Sequence, residues 1–232
     1  MNKTNCILFF VKYPAAGKVK TRLAKAVGSA SASRLYEHFT TDMLDILGGI
    51  NADIVICFDP SEDKKKYCLW IGENFRYIAQ EGKNIGERMH NALHRTFLDG
   101  YCRAIVIGSD IPDLPAGFVN RGFITLAENN AVIGPSSDGG YYLIGFNANS
   151  LPTQVFEGIR WSNEQEFDET MKAFNKMENY SVKILDTWHD IDTVEDLQEF
   201  VTRNQNAEFS KSKSYKYAVK IVNSSEKKIR NS

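Results

Sequence analysis

The chain has 232 residues, with 28 Lys and Arg against 29 Asp and Glu for a net charge of −1. Apolar residues at 43%, aromatic at 12% and charged at 25% exclude wholesale disorder, collagen and coiled coil, and a chain of this length buries a full core as one domain without disulfide or metal staples. The longest uncharged apolar runs, such as Cys6 to Val11 and Ile54 to Phe58, fall far short of the roughly 20 residues of a membrane helix, and Met1 to Asn5 leads into a run too short for a signal peptide, so a cytoplasmic protein with no membrane span is expected.

In chain order, short β-branched runs alternate with helical patterns, the signature of β-α-β units and a largely parallel sheet. Cys6 to Val11 reads as the first strand. Leu35, Phe39, Met43 and Ile46 recur at helical spacing until Gly48-Gly49. Ile54 to Phe58 is a second strand, Glu62 to Trp70 a short charged helix, and Arg76 to Ala79 a third strand. Met89, Leu93 and Phe97 mark a helix stopped by Gly100, followed by the very apolar strand Ala104 to Gly108. Cys6 and Cys57 lie inside strand runs, where a thiol acts as a small hydrophobe. With Cys68 and Cys102 far from them and no C-x-x-C pair, neither a disulfide framework nor structural zinc is expected.

Phe118 to Leu126 then reads as helix, and Ala131 to Gly134 and Tyr141 to Phe146 as extended. Phe167, Met171 and Phe174 form a helix after Ser162, whose spacing to Gln165 fits a capping box. Val182 to Leu185 is the last core strand, and Thr193 with Asp196 caps a helix carrying Leu197 and Val201. Residues 203–232 hold eight Lys and Arg against two Glu. Without aromatic interleaving or a basic helix this segment reads as a solvated, partly disordered tail rather than a nucleic-acid contact, although Tyr215 to Val222 could add an edge strand. The expectation is one α/β domain over residues 1–202 with a basic tail.

Parallel sheets place ligands beyond the carboxyl ends of their strands, so those loops carry the candidate chemistry. After the first strand, Lys12-Tyr-Pro14-Ala-Ala-Gly17-Lys18-Val-Lys20-Thr21-Arg22 is neither a Walker loop nor a G-x-G-x-x-G fingerprint. It is a Pro/Gly-shaped turn with three Lys and an Arg entering a helix, which makes either an anion site or a solvated basic loop. After the fourth strand, Gly108-Ser-Asp110-Ile-Pro-Asp113 puts an acid on the sheet edge. Asp110 is there a candidate ligand for a hard cation, which needs only one or two carboxylates, while Asp113 suits a helix start.

His189-Asp190-Ile191-Asp192 supplies a second acidic cluster. Spacing does not choose between the two acids, which share a side if the segment is extended, and His189 reads as a polar loop residue. Asp138-Gly139-Gly140-Tyr141 is a tight turn, and Gln80-Glu-Gly82 with Gly86-Glu-Arg88 brackets a loop suited to reading a base or ribose.

These motifs, in the order Lys12 to Leu23, Gln80-x-Gly82 with Gly86-Glu-Arg88, Gly108 to Leu114, Gly134-Pro-x-x-Asp138-Gly-Gly-Tyr-Tyr-Leu, Phe156 to Trp161 and Asp190-Ile-Asp192-Thr-x-Glu-Asp-Leu, resemble the DUF2064 glycosyltransferase-like proteins. That family belongs to the nucleotide-diphospho-sugar transferase superfamily, with the Rossmann-like GT-A fold. The resemblance covers Cys6 to about Leu197 and not the tail. Lys18 and Asn84 depart conservatively from the more frequent Arg and Asp.

The resemblance implies that the first loop, with Pro14, Gly17, Lys20, Thr21 and Arg22, holds nucleotide phosphates, with Gln80, Gly82 and Arg88 on the nucleotide. It implies that Asp110 and Asp192 bind Mg²⁺ or Mn²⁺, that Asp110 and Asp138 are catalytic, and that Gly139, Gly140, Tyr141 and Trp161 face a small-molecule acceptor. The activity implied is transfer from a nucleotide-activated sugar. The alternative is nucleotidyl transfer from a nucleoside triphosphate with release of pyrophosphate, and a third reading is a non-catalytic nucleotide-binding module.

Overall fold

A computed structural model describes residues 3–161 and 163–230. Among these residues the order is β1 (Lys3–Val11), α1 (Thr21–Val27), α2 (Ser29–Leu47), β2 (Asp53–Phe58), α3 (Lys64–Ile71), β3 (Arg76–Ala79), α4 (Ile85–Leu98), β4 (Tyr101–Ile107), α5 (Ala116–Thr125), β5 (Ala131–Pro135), β6 (Tyr141–Asn147), α6 (Glu166–Phe174), β7 (Val182–Ile184), α7 (Val194–Asn204) and α8 (Lys213–Arg230). The strands form one seven-stranded sheet ordered β3-β2-β1-β4-β6-β5-β7. β6 pairs antiparallel with both β4 and β5, while the other neighbours pair in parallel.

The apolar strand runs expected from the sequence are buried on both faces, as a helix-covered parallel sheet requires. Ile7, Phe9, Ile56, Ile105 and Ile107 point to one core with Met43, Tyr67 and Phe123, whereas Cys6, Leu8, Phe10, Cys57 and Val106 point to the other with Met89, Leu93 and Phe174. Successive residues of β1 therefore alternate between two cores, in keeping with the two-residue period of a strand. In register Phe9 lies beside Ile107, Val11 beside Phe58 and Phe58 beside Ala79, so the loops that follow these strands leave from one edge. The β5–β6 hairpin turns at the same edge, because reversing β6 leaves β5 running with β4.

The caps agree in part with the sequence pattern. Thr193 and Asp196 form the expected capping box on α7. α3 starts two residues later than the charge pattern suggests and is capped by Asp63, whose carboxylate accepts the Lys65 N–H at 2.9 Å. Ser162, the expected cap of α6, lies outside the described residues.

The C-terminal segment departs most from expectation. Over residues 213–224 it forms neither a solvated extension nor, from Tyr215 to Val222, an edge strand. Instead α8 buries Ala218, Ile221 and Val222 against Leu35 and Phe39 of α2 and Phe200 of α7, and the exposed lysines 216 and 220 on its other side disguise that apolar face. Its start is fastened by the buried Asp42 of α2, which accepts the Ser214 N–H at 2.7 Å, and by Ser212, whose hydroxyl accepts the Tyr215 N–H at 3.0 Å. These are N-cap bonds that satisfy otherwise orphaned donors. No helix among the described residues is long and apolar enough to cross a membrane.

Asp113 does not cap α5, whose N-cap is Pro115. Its buried carboxylate accepts from Arg203 Nε at 2.7 Å, Asn204 Nδ2 at 2.6 Å and Trp188 Nε1 at 3.2 Å, tying the β4–α5 loop to the end of α7. Replacing it strips a partly buried guanidinium of its carboxylate and a buried amide of one of its two acceptors, so Asp113→Ala is expected to cost about 2–4 kcal/mol in urea unfolding. A loss below about 0.5 kcal/mol would contradict this anchoring role.

Candidate functional site

The basic loop leaves β1 and is braced from beneath by α2. The Ser33 hydroxyl donates to the Pro14 carbonyl, and the Lys12 N–H donates to the Tyr36 hydroxyl at 2.9 Å, which itself pairs with Ser109 at 2.8 Å. Burial, followed by the Asp110 charge, pushes the Tyr36 phenol up to about 12, so it stays protonated and acts as a hydrogen-bonding pillar. The loop ends at Lys20, the N-cap of α1, in the left-handed region at φ 48° and ψ 46°, a conformation costly for a side chain other than glycine.

That turn sends the Lys20 side chain inward, leaving it 2% exposed. Its ammonium stands 2.5 Å from Asp110 Oδ1 and 2.8 Å from Asp192 Oδ1, and Arg22 Nη2 takes the other Asp192 oxygen at 2.6 Å. Burial alone would lower the lysine pKa, but the Asp110 and Asp192 charges and hydrogen bonds hold it above the ordinary value. Burial would likewise raise Asp192, yet Lys20 and Arg22 keep it below the carboxylate range. Lys20, Arg22 and Asp192 are therefore charged. Together with Lys12, Lys18, Thr21, Tyr36, Gln80 and Ser109, they line a cleft of about 500 Å³.

A smaller hollow of about 160 Å³ shares Asp110 and Asp192 with this cleft and adds Asp138, Gly140, Tyr141 and Asp190. Its position follows from backbone pairing. Trp188 N–H donates to Pro135 O, Ser137 N–H to Trp188 O and Ile191 N–H to Asp110 O, at 3.1, 3.0 and 3.1 Å. Ile191 is fully buried, which sends the flanking Asp190 and Asp192 toward the hollow, as alternation in an extended segment dictates.

Asp138 accepts from the Ser136 hydroxyl and from the Gly140 N–H. Gly139 has φ +90°, and a Cβ there would lie 2.0 Å from the Glu164 carbonyl, so only glycine allows the hairpin to approach the 163–165 segment. Burial, then the charges of Asp138 and Asp192, raise the Asp190 carboxyl to about 7. Among the described residues no group of three or more His, Cys, Asp or Glu converges to cage a metal ion.

The other expected nucleotide residues behave differently. Gln80 is turned inward. Its amide nitrogen donates to Cys57 O at 2.8 Å and its oxygen accepts from Arg88 at 3.4 Å. Arg88 is paired to Asp59 at 2.9 Å and also donates to Gly82 O at 3.3 Å. A Cβ on Gly82 would meet Arg88 N at 2.8 Å, so this motif docks β3 onto α4, and its side-chain polarity is largely consumed. Pro14 and Gly17 shape the loop. Trp161 lies over the first turn of α4, its ring occupying the place of a Gly86 Cβ and meeting Tyr141 edge-on at 6.4 Å.

Tyr36 and Ser109 were not singled out from the sequence, because a tyrosine within an amphipathic helix and a serine beside an aspartate carry no distinguishing spacing. Another hollow, of about 780 Å³, lies elsewhere, between α2, the β4–α5 loop and α7. Its Asp113 and Arg203 are paired to each other, and it shares no residue with the Lys20 cleft.

Comparison with known proteins places this geometry in context. The model of the family described as "Uncharacterized protein conserved in bacteria (DUF2064)" matches residues 43–163. A crystal structure of a "putative nucleotide-diphospho-sugar transferase" from Desulfovibrio desulfuricans G20 is 41% identical, over 95% of this chain and 97% of that one, with a TM-score of 0.91. A 4-diphosphocytidyl-2C-methyl-D-erythritol synthase from Anaerococcus prevotii is 13% identical over 88% and 97% of the chains, with a TM-score of 0.57. A cytidylyltransferase from Leptospira borgpetersenii is 12% identical over 99% and 96%, with a TM-score of 0.54. The last two share the fold alone. No curated protein sequence matches the chain.

The raised Asp190 carboxyl gives a stability prediction. A carboxyl that ionises less readily in the folded state contributes stability fully below about pH 4 and loses it as pH rises through about 7. In metal-free buffer, the stability gain of Asp190→Asn over wild type should grow between those pH values and level off near 1–2 kcal/mol, a figure reduced for partial exposure. Denaturant unfolding across pH reads it, and a gain independent of pH would contradict the assigned environment.

Proposed function

The chain belongs to the DUF2064 family, of nucleotide-diphospho-sugar transferase fold, and on that premise we propose that it is a divalent-cation-dependent transferase passing a sugar from a nucleotide-activated donor to a small-molecule acceptor. The observation that carries this reading is the buried Lys20 ammonium between Asp110 and Asp192 at the carboxyl edge of the sheet, with Arg22 beside it. In such sheets, phosphorylated ligands sit beyond the strand ends. Lys20 and Arg22 are cations suited to a diphosphate, and Arg can grip phosphate oxygens in a bidentate fashion.

The donor set fits Mg²⁺ or Mn²⁺. Asp110 and Asp192 are hard oxygen ligands, and such ions complete their coordination with phosphate oxygens and water. Bound there, the ion would neutralise charge developing on the leaving phosphate.

In this reading the donor's diphosphate lies along the loop from Lys18 to Arg22, and the acceptor enters from the hollow between Asp138, Gly140 and Tyr141, with Trp161 behind Tyr141. Asp138 receives the proton of the acceptor hydroxyl. The acceptor oxygen bonds to the anomeric carbon as the bond from that carbon to the donor phosphate breaks, and the electron pair leaves on the nucleoside diphosphate. Lys20 and Arg22 stabilise that charge as a preorganised electrostatic site.

The test is a screen of nucleoside-diphosphate sugars and nucleoside triphosphates by thermal shift, with and without Mg²⁺ or Mn²⁺, followed by product analysis. A ligand at about 100 times its dissociation constant adds roughly 2.7 kcal/mol. The expected result is a metal-dependent shift with a sugar nucleotide and release of a nucleoside diphosphate. Pyrophosphate release would assign nucleotidyl transfer instead, and no shift with any nucleotide would remove the proposal. Asp110→Ala should lower turnover at least about 10²–10³-fold while the protein still unfolds cooperatively. A near-wild-type rate would exclude Asp110 as a metal ligand.

A further inference from the structure

We infer that Lys20 is a built-in counter-ion which holds the Asp110–Asp192 site closed to a bare divalent cation, so that the cation is admitted only together with the phosphates of the donor. This inference rests on the proposed metal-dependent reading and deepens it into an order of binding. Three observations converge on it. The Lys20 ammonium sits between the two carboxylates at 2.5 and 2.8 Å, contacting one oxygen of each. The remaining oxygen of Asp192 is taken by Arg22 at 2.6 Å. The lysine side chain is 2% exposed, whereas those of Asp110 and Asp192 are 49% and 28% exposed, so the positive charge lies beneath the acids and the acids face the cleft.

Asp110 and Asp192 carry two negative charges that Lys20 and Arg22 balance, so this pair by itself offers a dication no net attraction, Asp138 and Asp190 attract it only from the far side of the hollow, and an ammonium in contact with both prospective ligands repels it. The other two acids of the hollow do not restore a cage, because among the described residues no three such side chains converge.

A diphosphate changes the balance. It brings its own negative charge to the cations and its own oxygens to the metal, and Lys20 and Arg22 can turn from carboxylate to phosphate, leaving Asp110 and Asp192 free to ligate. Lys20 is suited to this exchange. It stands at the junction of loop and helix, in a left-handed conformation at φ 48°, and an ammonium on a flexible stem re-aims more readily than a planar, fork-shaped guanidinium.

The experiment is direct binding of Mn²⁺ to the full-length protein, read by electron paramagnetic resonance of the free ion and by titration calorimetry, without and with inorganic pyrophosphate as the probe for the donor's phosphates. Wild type should bind Mn²⁺ alone weakly and much more tightly with pyrophosphate. Lys20→Met, which removes the charge and keeps the apolar stem, should bind Mn²⁺ alone at least about tenfold more tightly than wild type and show a smaller enhancement by pyrophosphate.

Lys20→Arg, which keeps the charge, should exclude bare Mn²⁺ as wild type does once its cooperative unfolding shows that it is folded. Equal Mn²⁺ affinity in wild type and a folded Lys20→Met overturns the counter-ion role and leaves the metal-dependent reading intact. So does tighter binding by Lys20→Arg. If none of the three proteins binds Mn²⁺ even with pyrophosphate, the metal-dependent reading fails, and the inference with it.

Discussion

Burying an ammonium group is expensive unless its charge is met at once by opposite charge. In this protein that requirement organises the carboxyl edge of the sheet. Lys20 reaches its two carboxylates from the hinge before α1, Asp110 comes from the loop after β4, and Asp192 comes from the segment before α7. Remove the lysine and two carboxylates face each other without it; remove either acid and the buried ammonium loses one of its two partners. The loop after β1, the centre of the sheet and the last helix of the α/β body are thus fastened at one point, which is also where a phosphorylated ligand is proposed to sit.

The surroundings keep that point rigid without using its charges. α2 supports the basic loop through Ser33 and Tyr36, the capping box of α7 fixes the backbone of Asp192 through Asp196, and Ile191 pins the same segment into the core between α1, α2, α7 and α8. Asp113 stands three residues beyond Asp110 in a loop with two acids of opposite use. One is buried and saturated by Arg203, Asn204 and Trp188, while the other remains half exposed at the cleft. The same division appears around β3, where Gln80 and Arg88 spend their polar groups on Cys57, Asp59 and Gly82. Fold and function therefore draw on neighbouring polar residues, and burial separates the two uses.

Much of this was legible in the sequence. Continuous apolar runs such as Cys6 to Val11 announced strands covered on both faces, and Thr193 with Asp196 announced a helix start, because both signals are local. The order of motifs led to the family, and the acids at 110, 138 and 192 do gather with Lys20 and Arg22 at one edge. Signals that depend on a distant partner were not legible. Asp113 looked like a helix-start acid because Arg203 and Asn204, which consume it, lie some 90 residues away. The C-terminal helix was read as tail because its lysines mask an apolar side whose partners, Leu35 and Phe39, belong to α2. Spacing does show that Asp190 and Asp192 share a side of an extended segment, but not that Ile191 between them is buried, which aims that side at the hollow.

The hydrogen bond between Lys20 and Asp192 spans 172 positions of the chain, and that separation has a bearing on synthesis. Strand β1 leaves the ribosome early but waits for β4 to close its second side, and its cationic loop waits longer still for the acid that completes it. Such non-local pairings form late, after shorter loops have closed. A nascent or prematurely terminated chain ending before α7 thus carries the basic loop without its full set of counter-charges, and the buried lysine gains its second carboxylate only once nearly the whole α/β body has been made.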